Sequence, residues 1–425
     1  MLVNDKGCQM ANTTSLTRKI KLYPVGDKDE VNRVYEFIRN GQYAQYQAQN
    51  ILMGQLIGKY YECGRDIKSD AFKKAQKEIL SNSNPVLNDI EFAKGVDTKS
   101  LTIRKVSQDF SIALKNGLAR GERTVTNYKR TLPLSTRSRD LKFGYEYDTY
   151  QEFLDNLMNP ELKIYIDWVN HIKFEVILGS PHKSEFLRKE IQNILEEKYK
   201  VQGSSIQIDG KSIILNLSMQ IQKNANELDE NVVVGVDLGL AIPAVCSLNN
   251  SEYERESIGH YDDFTRVRTQ MQQQRRRIQG NLKYSKGGHG RKKKLSALEK
   301  YKKYEHNFVQ SYNHMISRRV VDFALKHNAK YINVEDLSGY NANDFVLRNW
   351  SYYQLQDYIT YKADKEGITV RKVKPYYTSQ KCSKCGNVEE GQRTEQAKFK
   401  CKKCGYEENA DFNASRNIAL SEEFI

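Results

Sequence analysis

The sequence predicts a multidomain α+β protein, and three observations carry that prediction. A helical pattern interrupts a strand-rich region, buried strands alternate with helices in the C-terminal third, and four cysteines stand as two C-x-x-C pairs. A chain of 425 residues suits two to four domains at ~150 residues each. Its 67 Lys+Arg against 53 Asp+Glu leave a formal charge of +14, with 39% hydrophobic and 28% charged residues. That is polar, but it is not the profile of a disordered chain. No apolar run approaches the ~18 residues that cross a bilayer. The opening MLVNDKGCQMANTTSL has neither the basic nor the apolar region of a secretory signal. Positive charge combined with 27 Tyr makes a polyanion the leading partner.

Residues 1–14 read as a disordered tail. Leu16–Val25 reads as a strand, stopped by Pro24 and Gly26, within residues 15–26. From Asp27 the period becomes helical, with Val31, Val34, Tyr35 and Ile38 on one stripe. Ile51, Leu52, Gln55 and Leu56 mark a second helix, and Phe72, Ala75, Ile79 and Leu80 a third. Thr98 caps a fourth, which buries Ile103, Val106, Phe110, Ala113 and Leu114. Residues 27–121 thus form an all-α domain. Beyond Gly121, Ile164 and Ile166 alternate with polar neighbours, as do Ile172, Phe174 and Val176. One helix starts at Ser184, and a hairpin at Asp209-Gly210 joins SIQI to KSIILNL. Residues 122–225, with the first strand, predict a small β-barrel that the helical domain interrupts.

VVVGVDLG, AIPAVCSLN and YERESIG then read as three strands, followed by a helical stretch from Asp262 to His327. AKYINVEDL is a buried strand, SYYQLQDYITYKADKEG a helix, ITVRKVKP a strand and NADFNASRNIAL a closing helix. This element order is that of an RNase H-like fold, over residues 226–375 and 407–425. Residues 376–406 interrupt it.

The interruption holds Cys382, Cys385, Cys401 and Cys404, the spacing of a four-thiolate zinc ribbon. Gly386 and Gly405 follow the two pairs and ease the turns there. Four thiolates complete a tetrahedron, so the expected zinc is single, structural and closed. Three carboxylates sit where chemistry is expected: Asp237 ends the first strand, Glu335 the fourth, and Asp411 opens the last helix. A charge ending an apolar strand is costly unless paired or metal-bound. Taken singly, each has a plain explanation, as a solvated strand end or, for Asp411, a helix cap. Together they converge on one point. Hard oxygen ligands suit Mg²⁺, and two such ions ~4 Å apart serve in-line displacement at phosphorus. Asp237 is expected to bridge them, with Glu335 and Asp411 on either side. Between Arg266 and Lys303, fourteen cations face one acid, Glu299. Arg275, Arg276, Arg277, Arg291, Lys292, Lys293 and Lys294 are the candidate nucleic-acid contacts, a surface that tracks phosphates. Tyr352, Tyr353, Tyr376 and Tyr377 are candidates to stack bases.

GVDLG, VEDL, the segment from SYYQLQ to KCSKCG, and NADFNASRNIA closely resemble the RuvC nuclease and zinc modules of TnpB-type nucleases and their CRISPR descendants. The run from KIKLYPVGDKDE to ILMGQL, and GLARGERTVTNYKRTLPLSTRSRDLKF, resemble the miniature type V-F CRISPR effectors. The resemblance implies an RNA-guided DNA endonuclease of the prokaryotic cytoplasm, binding guide RNA and both strands of target DNA. It implies a wedge barrel, a helical recognition lobe, a RuvC domain and a target-nucleic-acid-binding zinc module. The family's catalytic acids carry over onto Asp237, Glu335 and Asp411. The family also places an arginine of the zinc module near the scissile phosphate, and Arg393 is the only arginine between the cysteine pairs. Two copies on one guide RNA are implied as well. The alternatives are a transposon-encoded TnpB nuclease guided by transposon-end RNA, a guided DNA-binding regulator that does not cut, and a guide-free junction resolvase.

Overall fold

The computed structural model describes residues 12–424 except 119, 122, 123, 126, 240, 241, 286, 337–351, 375–377 and 396. The chain divides into two compact units, Thr13–Gln222 and Lys223–Ile425. Among the described residues no helix is long and apolar enough to cross a membrane.

The N-terminal unit begins with β1 (Thr13–Pro24), α1 (Lys28–Glu62), α2 (Asp70–Ile79) and α3 (Thr98–Ala113). After these come β2 (Leu134–Thr136), β3 (Lys142–Tyr145), α4 (Tyr150–Asp155), β4 (Ile164–Asp167) and β5 (Lys173–Val176). The unit closes with α5 (Pro181–Leu195), β6 (Lys200–Val201), β7 (Ser204–Asp209) and β8 (Ser212–Gln222). The two helices expected over Val31–Ile38 and Ile51–Leu56 are one helix of 35 residues. Asp27 and Glu30 form its capping box, and no proline follows to break it. A glycine within it, Gly41, leaves room that a Cβ would take from Leu134 and Ala93. Asp97, not Thr98, stands at the cap position of α3. Ser180 precedes α5, and Pro181 opens it, three residues ahead of the expected start at Ser184.

The expected barrel is an open sheet. Its strands run β2-β7-β8-β1-β5-β4-β3, with β6 also on β8, and the end strands β2 and β3 do not pair. The alternation in β8 works as read: Ile213, Leu215, Leu217, Met219 and Ile221 all point into the core. β1 pairs antiparallel with it from Thr13↔Gln222 to Leu22↔Ile213, so Thr13 and Thr14 of the expected tail belong to the sheet. The helices keep a separate core of Leu52, Leu56, Tyr60, Phe72, Val106 and Phe110.

The C-terminal unit starts with β9 (Asp229–Asp237), β10 (Ala244–Leu248) and β11 (Arg255–Ile258). The helical stretch expected from Asp262 to His327 is two long helices, α6 (Tyr261–Lys283) and α7 (Gly288–Lys326). Then come β12 (Ala329–Glu335), α8 (Tyr352–Lys365), β13 (Thr369–Val373), the short strands β14 (Arg393–Glu395), β15 (Lys398–Lys400) and β16 (Glu407–Asn409), and α9 (Ala410–Ala419). The main sheet is ordered β11-β10-β9-β12-β13. Hairpins make its first three strands antiparallel, whereas β12 and β13, reached through helices, lie parallel to their neighbours. Buried on both faces, β9 reads as the continuous apolar run VVVGV.

Candidate active site and metal centre

β9 and β12 run parallel with Val236 beside Val334. The next residue on each strand is Asp237 and Glu335, so the two carboxylates sit at one level on strands ~4.8 Å apart. The third carboxylate reaches them on α9, which crosses β9, β10 and β12. What lets the helix come so close is Gly235: a Cβ there would overlap the Ser415 carbonyl oxygen and the Ala419 amide nitrogen. The Ser247 and Ser415 hydroxyls meet at 2.6 Å in the buried contact, and Asn333 Nδ2 donates to the Ile418 carbonyl at 3.0 Å. Asn409, not Asp411, caps α9, accepting from the Asp411 amide at 2.9 Å. Asp411 lies in the first turn, and its carboxylate is not used in capping the helix.

The neighbouring charges act on one another. Burial first, then the neighbouring Glu335 and Asp411 carboxylates, push the Asp237 carboxyl up to about 8, against the pull of Arg393. Burial raises Glu335 too, opposed by a hydrogen bond from the Thr378 hydroxyl. Arg393 Nη2 lies 3.2 Å from Asp411 Oδ1, so the single arginine of the cysteine segment does reach the carboxylates. The carboxylate oxygens do not all lie within 4.8 Å of one another, but hard oxygen donors that share a field at Asp237 are of the kind a divalent cation takes.

The cysteines are packed more tightly. Their four sulfurs lie within 4.8 Å of one another, the one such group of three or more potential metal ligands among the described residues. Cys382 Sγ is 3.8 Å from Cys404 Sγ, and Cys385 Sγ is 3.6 Å from Cys401 Sγ. Disulfides require ~2.05 Å. A tetrahedron with metal–sulfur bonds of ~2.3 Å has edges of ~3.8 Å, so the cage fits a metal such as zinc. Gly386 and Gly405 stand at φ 74° and 72°, the left-handed turns that bring each pair round. Their amides donate to the Cys382 and Cys401 carbonyls at 2.9 and 3.0 Å.

α9 ties the two centres together. Asn413 and Asn417, one turn apart and buried, donate to the Lys381 carbonyl at 2.8 and 2.6 Å. Asn413 also accepts from the Ser383 amide at 2.9 Å, and Asn417 donates to the Thr378 carbonyl at 2.8 Å. Gly235, Thr378, Asn413 and Asn417 were not singled out by the sequence reading. Signals for three of them exist: a glycine inside a buried β-branched run marks close backbone approach, and Asn413 and Asn417 share a helix face.

The basic helices divide by role. Arg275 pairs with Glu305, which Arg268 and Gln272 also hold at 3.1 Å, so this arginine joins α6 to α7. Arg291 donates to the Leu282 and Ser285 carbonyls and Lys294 to that of Asn281, closing the C-terminal end of α6. Arg276, Arg277, Lys292 and Lys293 are exposed. Tyr352 is buried and Tyr353 is 55% exposed; Tyr376 and Tyr377 lie outside the described residues.

Residues 352–418 match the family description Cas12f1-like, TNB domain. A CRISPR-associated endodeoxyribonuclease Cas12f1 of Sulfoacidibacillus thermotolerans is 35% identical over 332 residues, 76% of each chain. A TnpB-like protein of Methanocaldococcus jannaschii is 32% identical, but over 28% of this chain and 45% of that relative. Among solved structures, the protein of a Cas12f1–sgRNA–target DNA complex superposes with a TM-score of 0.69 at 19% identity, covering 97% of this chain and 100% of that one. Matched at this identity over three-quarters of a relative's length, and in fold over nearly all of its own, the chain belongs to the Cas12f1 family.

Proposed function

We propose that the chain is an RNA-guided DNA endonuclease, a CRISPR effector that cuts target DNA at a single RuvC-type site. The observation that carries this reading is the placement of Asp237 and Glu335 at the ends of two paired parallel strands, with Glu335 and Asp411 both raising the proton affinity of Asp237. The order and pairing of the C-terminal strands support an RNase H-like fold for residues 226–375 and 407–425. Asp237 would hold both of two Mg²⁺ ions, Glu335 and Asp411 one each. Such ions supply an activated water and charge relief for the leaving 3′ oxygen. Arg393 offers a guanidinium to the same phosphate, and the Thr378 hydroxyl orients Glu335. The cysteine cage would hold one structural Zn²⁺ in a target-nucleic-acid-binding ribbon over residues 376–406. Residues 15–26 and 122–225 would act as the wedge, and 27–121 as the recognition lobe.

The guide-RNA and DNA partners, and pairing of two copies on one guide, rest on the family resemblance. The CRISPR reading is preferred to a transposon-linked one because the match to the Cas12f1 relative extends over 76% of this chain and the match to the TnpB-like relative over 28%. Asp237→Ala should abolish Mg²⁺-dependent cleavage of guide-matched DNA while guided binding stays near normal. Unchanged cutting would refute the site.

A further inference from the structure

Gln354 and Gln356 stand two apart on α8 and look alike in the sequence. The fold uses them differently. Gln354 accepts from Asn313 Nδ2 at 3.0 Å, which joins α8 to α7. Gln356 is 4% exposed, on a helix whose Tyr352, Leu355 and Ile359 belong to the apolar core. An amide placed there is costly unless it is hydrogen-bonded. Its Nε2 donates to the Glu335 carbonyl at 2.7 Å.

That carbonyl lies where the sheet stops holding the chain on one side. The ladder of β12 with β9 ends at Val334↔Val236, one residue before Glu335. The ladder with β13 continues to Glu335↔Val373, and the Asp336 amide donates to the Val373 carbonyl at 2.9 Å. The C=O and N–H of a trans peptide point opposite ways. The Glu335 carbonyl therefore faces away from β13, to the side where pairing with β9 has ended. One peptide is thus gripped from both sides, its N–H by β13 and its C=O by Gln356.

We infer that Gln356 is a positioning residue for the nuclease centre: by holding this peptide, it fixes the direction in which the Glu335 side chain leaves the backbone. The Thr378 hydroxyl holds that side chain at its far end, and Gln356 holds it at its root. The inference rests on the proposed reading of Glu335 as a metal-holding carboxylate. Mg²⁺ demands near-ideal octahedral geometry, so a slack root should impair metal use more than nucleic-acid binding.

Gln356→Met, close in size but unable to donate, is compared in the full-length chain with Gln354→Met on the same helix. Hydrogen exchange, read without metal or nucleic acid, should quicken roughly tenfold at residues 334–336 in Gln356→Met. The rest of α8 should keep parent rates, and Gln354→Met should leave residues 334–336 unchanged. With guide RNA and matched DNA, Gln356→Met should raise the half-saturating Mg²⁺ concentration by about tenfold. At fixed Mg²⁺ it should lower kcat with KM for DNA unmoved. Excess Mg²⁺ should restore the rate, which a general loss of folding would not permit. Parent-like exchange at residues 334–336 would overturn the inference. So would quickening spread over all of α8, or an unmoved Mg²⁺ dependence. Unchanged cutting by Asp237→Ala would refute the nuclease reading instead, and the exchange rates would still decide whether Gln356 braces the peptide.

Discussion

The two candidate metal centres of the C-terminal unit both adjoin one helix, α9, and are built in opposite ways. The cysteine cage is drawn together before any ion is considered, its sulfurs already at the edge lengths of a tetrahedron. The carboxylates come from strand ends and a helix far apart in sequence, and their charges oppose one another. A closed thiolate site is stabilised by local turns and serves the fold. The carboxylate site is held against repulsion by packing elsewhere, above all at Gly235, as a site proposed to serve chemistry would be. The lesson is that the second can be destroyed without touching a single ligand.

Gly235→Val should do so. The added side chain overlaps the α9 backbone, so the helix must move and carry Asp411 away. Cleavage should fall to background and stability by about 1–3 kcal/mol, while metal analysis still finds about one zinc per chain. Retained cleavage would show that α9 does not set the site. Next in size is Cys401→Ser/Cys404→Ser, which should lose about one Zn²⁺ per chain and lower the melting temperature. Metal retained at the parent level would remove the ribbon from the comparison.

The carboxylate centre should then show a pH signature that the cage lacks. With its folded pKa raised from 3.8 to about 8, Asp237 keeps a proton in the native state that the unfolded chain has released. Stability from that group is therefore full below about pH 4 and is lost progressively as pH rises to about 8. In chelator-treated buffer, Asp237→Asn should unfold at a higher temperature than the parent, by a margin that grows across that window and is flat above it. Excess Mg²⁺ should reverse the order, because only the parent gains binding energy. A margin independent of pH would refute the electrostatic account. The smallest effect is expected from Thr378→Val. Loss of the hydroxyl to Glu335 removes a charge-assisted hydrogen bond of ~1.5–3 kcal/mol, about tenfold or more in cleavage rate. It should also move the acid limb of the pH profile upward, since that bond lowers the pKa of Glu335. An unmoved profile would deny Thr378 a positioning role.

Much of this was legible in the sequence, for reasons of chemistry. Asp237 and Glu335 stood out because a charge closing an apolar strand needs a reason, and the cysteines because their spacing permits few geometries. The strand ladder was readable where one face is buried, as in β8. Reading failed where long-range contacts decide. Nothing local says that Asp27–Glu62 is one helix rather than two, or that β2 and β3 stay apart. A run of cations also looks uniform until Glu305 claims Arg275 and the end of α6 claims Arg291 and Lys294. Even Asp411 was open to reading as a cap until Asn409 was seen to hold that post.

The pair Asn413 and Asn417 has a mechanical corollary. Both amides clasp the Lys381 carbonyl, one residue before the first cysteine, while the same helix bears Asp411. On the proposed reading, a pull on the ribbon would be passed through α9 to Asp411. A chelator selective for zinc over magnesium should then slacken the proposed cutting centre while leaving magnesium in solution.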